Sequence, residues 1–191
     1  MATAAASRPN RTAVTTARVA HLWHLVRRFA GSLDPSPPSV DDERWAVGHL
    51  NDGERVLWSR LSNPDRRHGI AVARAVRAEL GERATEPVMA AALLHDSGKV
   101  VSGFGTFARV GATLFWAVAD RGRAEVWAVE GTGIRRRLGQ YRRHPEIGGE
   151  LLELAGSDPL TSAWAREHHR PAKRWTVDPA IGAVLKSCDD D

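Results

Sequence analysis

Between residues 87 and 94 every side chain is apolar, and the next two residues are His95 and Asp96. The run reads as a helix that delivers an imidazole and a carboxylate to neighbouring points of one helix end. Gly98 then breaks it. Both groups bind first-row divalent cations. A His-Asp doublet alone also reads as nothing more than a polar helix stop with a glycine C-cap. The choice depends on whether the rest of the chain supplies further ligands.

The remainder carries helical signals throughout and no convincing strand pattern. Residues 1–13 are small and polar and read as a disordered start. Apolar residues at helical spacing follow over residues 14–29, with His21 and His24 among them, read as solvated or packed side chains. Residues 31–39 hold three prolines and flanking serines and form a linker. Asp41 or Asp42 is placed to cap the next helix, which has a break near Asn51. Asn63-Pro64 starts another, with His68 in its first turn and Gly81 at its end. Residues 98–110 are punctuated by glycine and read as a loop. Residues 113–119 and the surroundings of Trp127 read as buried helices with solvated arginines, in preference to an interfacial helix. Arg135, Arg136, Arg137, Arg142 and Arg143 form a basic stretch up to His144, which opens a helix with Pro145. Further helices start at Asp158-Pro159 and Asp178-Pro179. The expected fold is all-α. A helical segment over residues 14–62 precedes a bundle over residues 63–191.

Composition narrows the chemistry. The chain has 191 residues and one cysteine, Cys188, which excludes an internal disulfide framework and a cysteine-rich zinc site. No apolar run approaches the ~18 residues of a membrane span, and no signal-peptide core is present, so a cytoplasmic location is expected. No glycine-rich phosphate loop or Ser-His-Asp set is found. The metal-capable residues collect at helix ends: His68, His95, Asp96, His144, His168, His169 and Asp189. Helices of a bundle bring such ends to one cavity.

In this order the motifs resemble the HD-domain metal-dependent phosphohydrolases. The resemblance lies in His68, then His95-Asp96, then Asp189 near the end of the last helix, and it covers residues 63–191. His95-Asp-Ser-Gly-Lys99, the segment from His144 to Leu152, and His168-His169 are further similar to the HD-GYP subgroup. The chain departs from that subgroup after His169, where Arg170-Pro171-Ala172-Lys173 replaces the Gly-Tyr-Pro loop. Hydrolysis of cyclic di-GMP is therefore left open.

The resemblance implies an HD-domain-like bundle holding one or two divalent ions, with manganese or iron expected before zinc, magnesium, cobalt or nickel. His68, His95, Asp96 and Asp189 would hold the first ion. Asp96 would bridge to a second held by His144 and His168, with His169 nearby. The implied reaction is attack of a metal-activated hydroxide on a phosphomonoester or phosphodiester of a nucleotide or related small molecule. Asp96 and Lys99 are the expected catalytic residues, with Lys99, Arg143, Arg170 and Lys173 holding the phosphate. Small phosphorylated molecules are the expected partners, nucleic acid is not, and a homo-oligomer is compatible with the sequence. The alternative is a non-catalytic HD signalling module that binds a nucleotide or a partner protein.

Overall fold

The computed structural model describes residues 34–120 and 122–190. The expectations for residues 1–33, including the helix over residues 14–29 and the histidines at 21 and 24, lie outside the described residues. The chain divides at Pro35, and residues 35–191 form one unit. The described residues are helical and contain no strand. In chain order the helices are α1 (Val40–Gly48), α2 (Asp52–Arg60), α3 (Asn63–Leu80), α4 (Glu86–Leu94), α5 (Lys99–Ser102), α6 (Thr106–Val118), α7 (Arg123–Val129), α8 (Gly133–Arg142), α9 (His144–Leu154), α10 (Pro159–Glu167) and α11 (Pro179–Asp190).

Helix α4 is the axis. Its residues from Val88 to Leu94 are all buried, as a helix apolar on every side requires. It packs against α3, α10 and α2, while α11 lies on α3 and α9 lies on α10. The division expected at residue 63 falls inside this unit. Ala46 and Leu50, from α1 and the turn after it, share one core with Leu57 and Trp58 of α2 and with Leu93, Leu152, Trp164 and Leu185. Helices α6, α7 and α8 form a second layer, joined to the first through α5 and α9.

Local chemistry explains the boundaries and corrects several expectations. Ser39 caps α1, its hydroxyl accepting from the Asp42 amide, so Asp41 and Asp42 lie within the first turn. Ser62 caps α3 through the Asp65 amide, which places Asn63 inside the helix and His68 in its second turn. Asn51 does cap α2, with Glu54 completing a reciprocal capping box. Residues 98–110 are largely helical because the glycines act at the termini. Gly103 takes a left-handed φ of 60° to end α5, and extended Gly105 precedes α6. Helix α6 thus begins well before residue 113, and only one side of it is buried: Ala112 and Trp116 face inward, while Phe107 and Leu114 are 75% and 66% exposed.

Two glycines are needed for close approach. A Cβ on Gly69 would stand 2.6 Å from the Leu93 carbonyl oxygen, so α3 and α4 meet backbone to backbone there. Gly98 has an ordinary φ of −65° and is no left-handed cap. A Cβ on it would lie 2.0 Å from the His144 carbonyl oxygen and 2.6 Å from the Gly148 nitrogen. The His95–Lys99 turn therefore presses directly onto the start of α9.

These contacts separate two chemically identical substitutions. Gly69→Ala should destabilise the chain by about 1–3 kcal/mol through overpacking. Gly111→Ala, on α6 with nothing within 4 Å of the new Cβ, should stabilise it by about 0.5–1 kcal/mol through helix propensity. Urea denaturation of the two variants measures both signs.

Candidate metal centre

Three histidines are positioned by the same local device. His95 is the C-cap of α4, His168 is the C-cap of α10, and His144 follows the C-cap of α8. The last carbonyls of a helix lack intrahelical partners. Each ring reaches back to one of them, three residues earlier. Nδ1–H of His95 donates to the Ala92 carbonyl at 2.9 Å, that of His144 to Tyr141 at 2.8 Å, and that of His168 to Ala165 at 2.9 Å. A carbonyl can only accept, so Nδ1 is protonated in all three and Nε2 points away from its own helix.

Those three Nε2 atoms are buried and have no hydrogen-bond partner. They surround Asp96. Nε2 of His144 and of His168 stand 3.5 Å and 3.7 Å from Asp96 Oδ1, and Nε2 of His95 stands 3.4 Å from Oδ2. The same His95 atom is 3.4 Å from Asp189 Oδ1, which lies 3.1 Å from His68 Nε2. Two groups result, His68–His95–Asp96 and Asp96–His144–His168–His169, each with donor atoms within 4.8 Å of one another. Asp96 belongs to both. Asp189 faces the first group, whereas Asp190 is exposed and pairs with Lys186.

The donor set fits divalent cations. Separations of 3.4–3.7 Å exceed the ~2.7–2.9 Å of a charge-assisted hydrogen bond. They match the roughly 3.4 Å between two atoms each about 2.1 Å from one tetrahedral ion. Each Nδ1–H contact also supplies the outer hydrogen bond typical of ligating histidines.

The electrostatics point the same way. Burial disfavours a charged His95, but the facing carboxylates of Asp96 and Asp189 override it and push the ring up to about 10. Burial likewise opposes ionisation of Asp96, yet Lys99 and His95 hold its carboxyl well below the usual range. Burial drives His168 well below an ordinary histidine, and burial with His144 beside it brings His169 down to about 4. One part of the centre demands positive charge and the other keeps neutral imidazoles.

Of the expected phosphate-binding residues, Lys99 reaches the centre and ion-pairs with Asp96 Oδ2. An open pocket of about 460 Å³ adjoins His144 and His169 and is lined by Lys99, Thr113, Trp116, Tyr141 and Arg142. Arg143, Arg170 and Lys173 do not line it. Arg170 stands 3.6 Å from Glu146, and Lys173 is exposed in the 3₁₀ turn Ala172–Arg174. Arg142 takes the position expected of its neighbour because it is the last residue of α8. Tyr141 and Arg142 precede His144 closely enough for the sequence to have suggested them. Thr113 and Trp116 carried no such signal.

The segment after His169 is tied back to α10. Buried Glu167 accepts from the Thr176 amide at 2.7 Å and its hydroxyl at 2.9 Å, and Trp175 Nε1 donates to the Glu167 and Arg170 carbonyls. This holds the end of α10, and with it His168 and His169, against the pocket. A half-buried ion pair, Asp65 with Arg109 at 2.5 Å, bridges α3 and α6. No known protein family, curated protein or solved structure matches this chain.

At pH 7 His95, with a folded-state pKa of about 10 against an ordinary 6.5, carries a proton that a cation at Nε2 must displace. Divalent-metal affinity should therefore climb with pH through the neutral range. Adding metal to the chain in weakly buffered solution at pH 7 should release a proton, and His95→Ala should lose that release. Calorimetry in buffers of different ionisation enthalpy counts the protons.

Proposed function

We propose that the chain is an HD-domain-type phosphohydrolase that depends on divalent metal and acts on a small phosphate ester. The observation that carries this reading is the convergence of three orphaned, buried Nε2 atoms on both oxygens of one aspartate. Buried polar atoms ordinarily find hydrogen-bond partners. Here the helix ends satisfy one and leave the other aimed at a shared carboxylate.

In this reading His68, His95, Asp96 and Asp189 hold one ion, and Asp96, His144, His168 and His169 hold the other. The ions would supply an activated water and neutralise charge on the phosphoryl oxygens. The chain's own residues then have separate tasks. Lys99 Nζ, beside Asp96, and the Arg142 guanidinium, in the pocket wall, attract the phosphate and stabilise the negative charge that grows during displacement. Tyr141, whose hydroxyl is 3.2 Å from the Thr113 hydroxyl, and Trp116 wall the space beyond the phosphate and orient the rest of the substrate. The pocket volume suits a molecule of mononucleotide size. Burial of His95, His144 and His168 keeps bulk water from the ligand side of the centre.

Purified chain should contain manganese, iron or a related cation, or take it up. His95→Ala and Asp96→Ala should each lower bound metal sharply with little change in helical circular dichroism. Metal-loaded chain should release phosphate from, or open a cyclic ester in, at least one member of a nucleotide panel. Lys99→Met should retain metal and lower kcat by ~10²-fold or more, the usual effect of removing one charge-stabilising donor. Full metal occupancy without turnover on any ester would refute catalysis. Normal metal content in both alanine variants would refute the centre itself.

A further inference from the structure

The proposed chemistry gives no task to Asp65 on α3 or Arg109 on α6. Their side chains are 10% and 18% exposed, and Arg109 Nη1 donates to Asp65 Oδ1 at 2.5 Å. Both partners are fixed further. Ser62 Oγ donates to Asp65 Oδ2 at 2.7 Å, and Arg109 Nε donates to the Phe104 carbonyl at 2.9 Å. Burial opposes ionisation of Asp65, yet Arg109 holds its carboxyl below the usual range, and Lys99 acts in the same direction.

Helical spacing says what this pair connects. Asp65 and His68 are three residues apart, so they share a face of α3. Arg109, Thr113 and Trp116 recur at i, i+4 and i+7, so they share a face of α6. Thr113 and Trp116 on that face line the pocket. One end of the bridge thus stands a turn from a candidate metal ligand, and the other a turn from the pocket wall. Toward α8 the wall has its own ties. Thr113 Oγ1 lies 3.2 Å from the Tyr141 hydroxyl, and Trp116 Nε1 donates to the Leu138 carbonyl at 3.0 Å. Those contacts fix the wall within its layer. The ion pair fixes it relative to the helix that carries His68.

A directional tie suits that task. Apolar burial is non-directional and lets helices slide, whereas removing either member of a desolvated ion pair leaves a charge uncompensated. The spacing it fixes decides what fits. Inorganic phosphate needs only the centre and the cations Lys99 and Arg142, but an ester must also place its organic part against Trp116 and Tyr141. We propose that the Asp65–Arg109 bridge determines the specificity of the site, by holding the α6 wall where it accepts the organic part of a nucleotide-sized ester. Asp65 and Arg109 are then positioning residues. The inference rests on the phosphohydrolase reading of the pocket.

The test is calorimetric binding of two kinds of probe to the metal-loaded full chain. One is inorganic phosphate. The other is a set of ribonucleoside 5′-methylenephosphonates, in which carbon replaces the ester oxygen and hydrolysis is blocked. The best phosphonate should bind the wild type about ten-fold more tightly than phosphate, the worth of one aromatic contact. Asp65→Asn and Arg109→Gln should each abolish most of that preference, and the double variant should lose no more than either. Phosphate affinity and metal content should stay unchanged. In the wild type the phosphonate, and not phosphate, should slow hydrogen exchange of the α6 amides, a readout that needs no variant to fold. Wild type that binds phosphate without preferring any phosphonate overturns the inference alone. So do α6 amides that the phosphonate leaves unmoved, folded variants that keep the preference, and variants that lose phosphate and phosphonate equally. Metal-loaded wild type that binds neither probe overturns the phosphohydrolase reading together with the inference.

Discussion

The centre depends on Asp96 being shared. Its two oxygens face different histidines, His144 and His168 on one side and His95 on the other. A buried carboxylate without compensating charge is costly, and the charged His95 ring beside it supplies part of that compensation. Lys99 adds a fixed cation from the same turn. Asp189 then repeats the arrangement on the far side of His95, so an imidazole lies between two carboxylates. That geometry calls for a positive charge, a proton or a metal ion, at one atom.

The fold is built to deliver those groups to one place. Apolar α4 is enclosed on all sides, which fixes where its end, and hence His95 and Asp96, must lie. The glycine contact between the turn after Asp96 and the start of α9 sets the distance to His144. The tie from Glu167 to Thr176 sets the end of α10 and so His168. In each case a local constraint acts within a few residues of the side chain it positions. The histidines themselves close the helix ends through Nδ1, so one side chain serves both the termination of the helix and the centre.

The helices were legible where strong local signals govern them. Pro145, Pro159 and Pro179 mark helix starts, and Gly81 and Gly156 mark helix ends. The signals misled where one residue type serves two purposes. Asn63 and the aspartates at 41 and 42 are good capping residues, but a serine one to three positions earlier takes the role in each case. Glycines near residue 103 read as loop, yet they cap helices on either side. The exposed side chains of α6 were expected to be buried because apolar periodicity reports only that a helix has one greasy face. It does not report whether another element covers that face.

For the candidate centre, residue type and order alone were enough to single out His68, His95, Asp96, His144, His168, His169 and Asp189, because imidazoles and carboxylates clustered at helix ends are visible in one dimension. Tertiary structure was needed to put Arg142 rather than Arg143 in the pocket wall and to bring Thr113 and Trp116 across from α6. The reason is geometric. One residue along a helix turns a side chain by about 100°, so neighbours of equal chemistry face different surroundings. Which of them meets the centre depends on how distant segments pack.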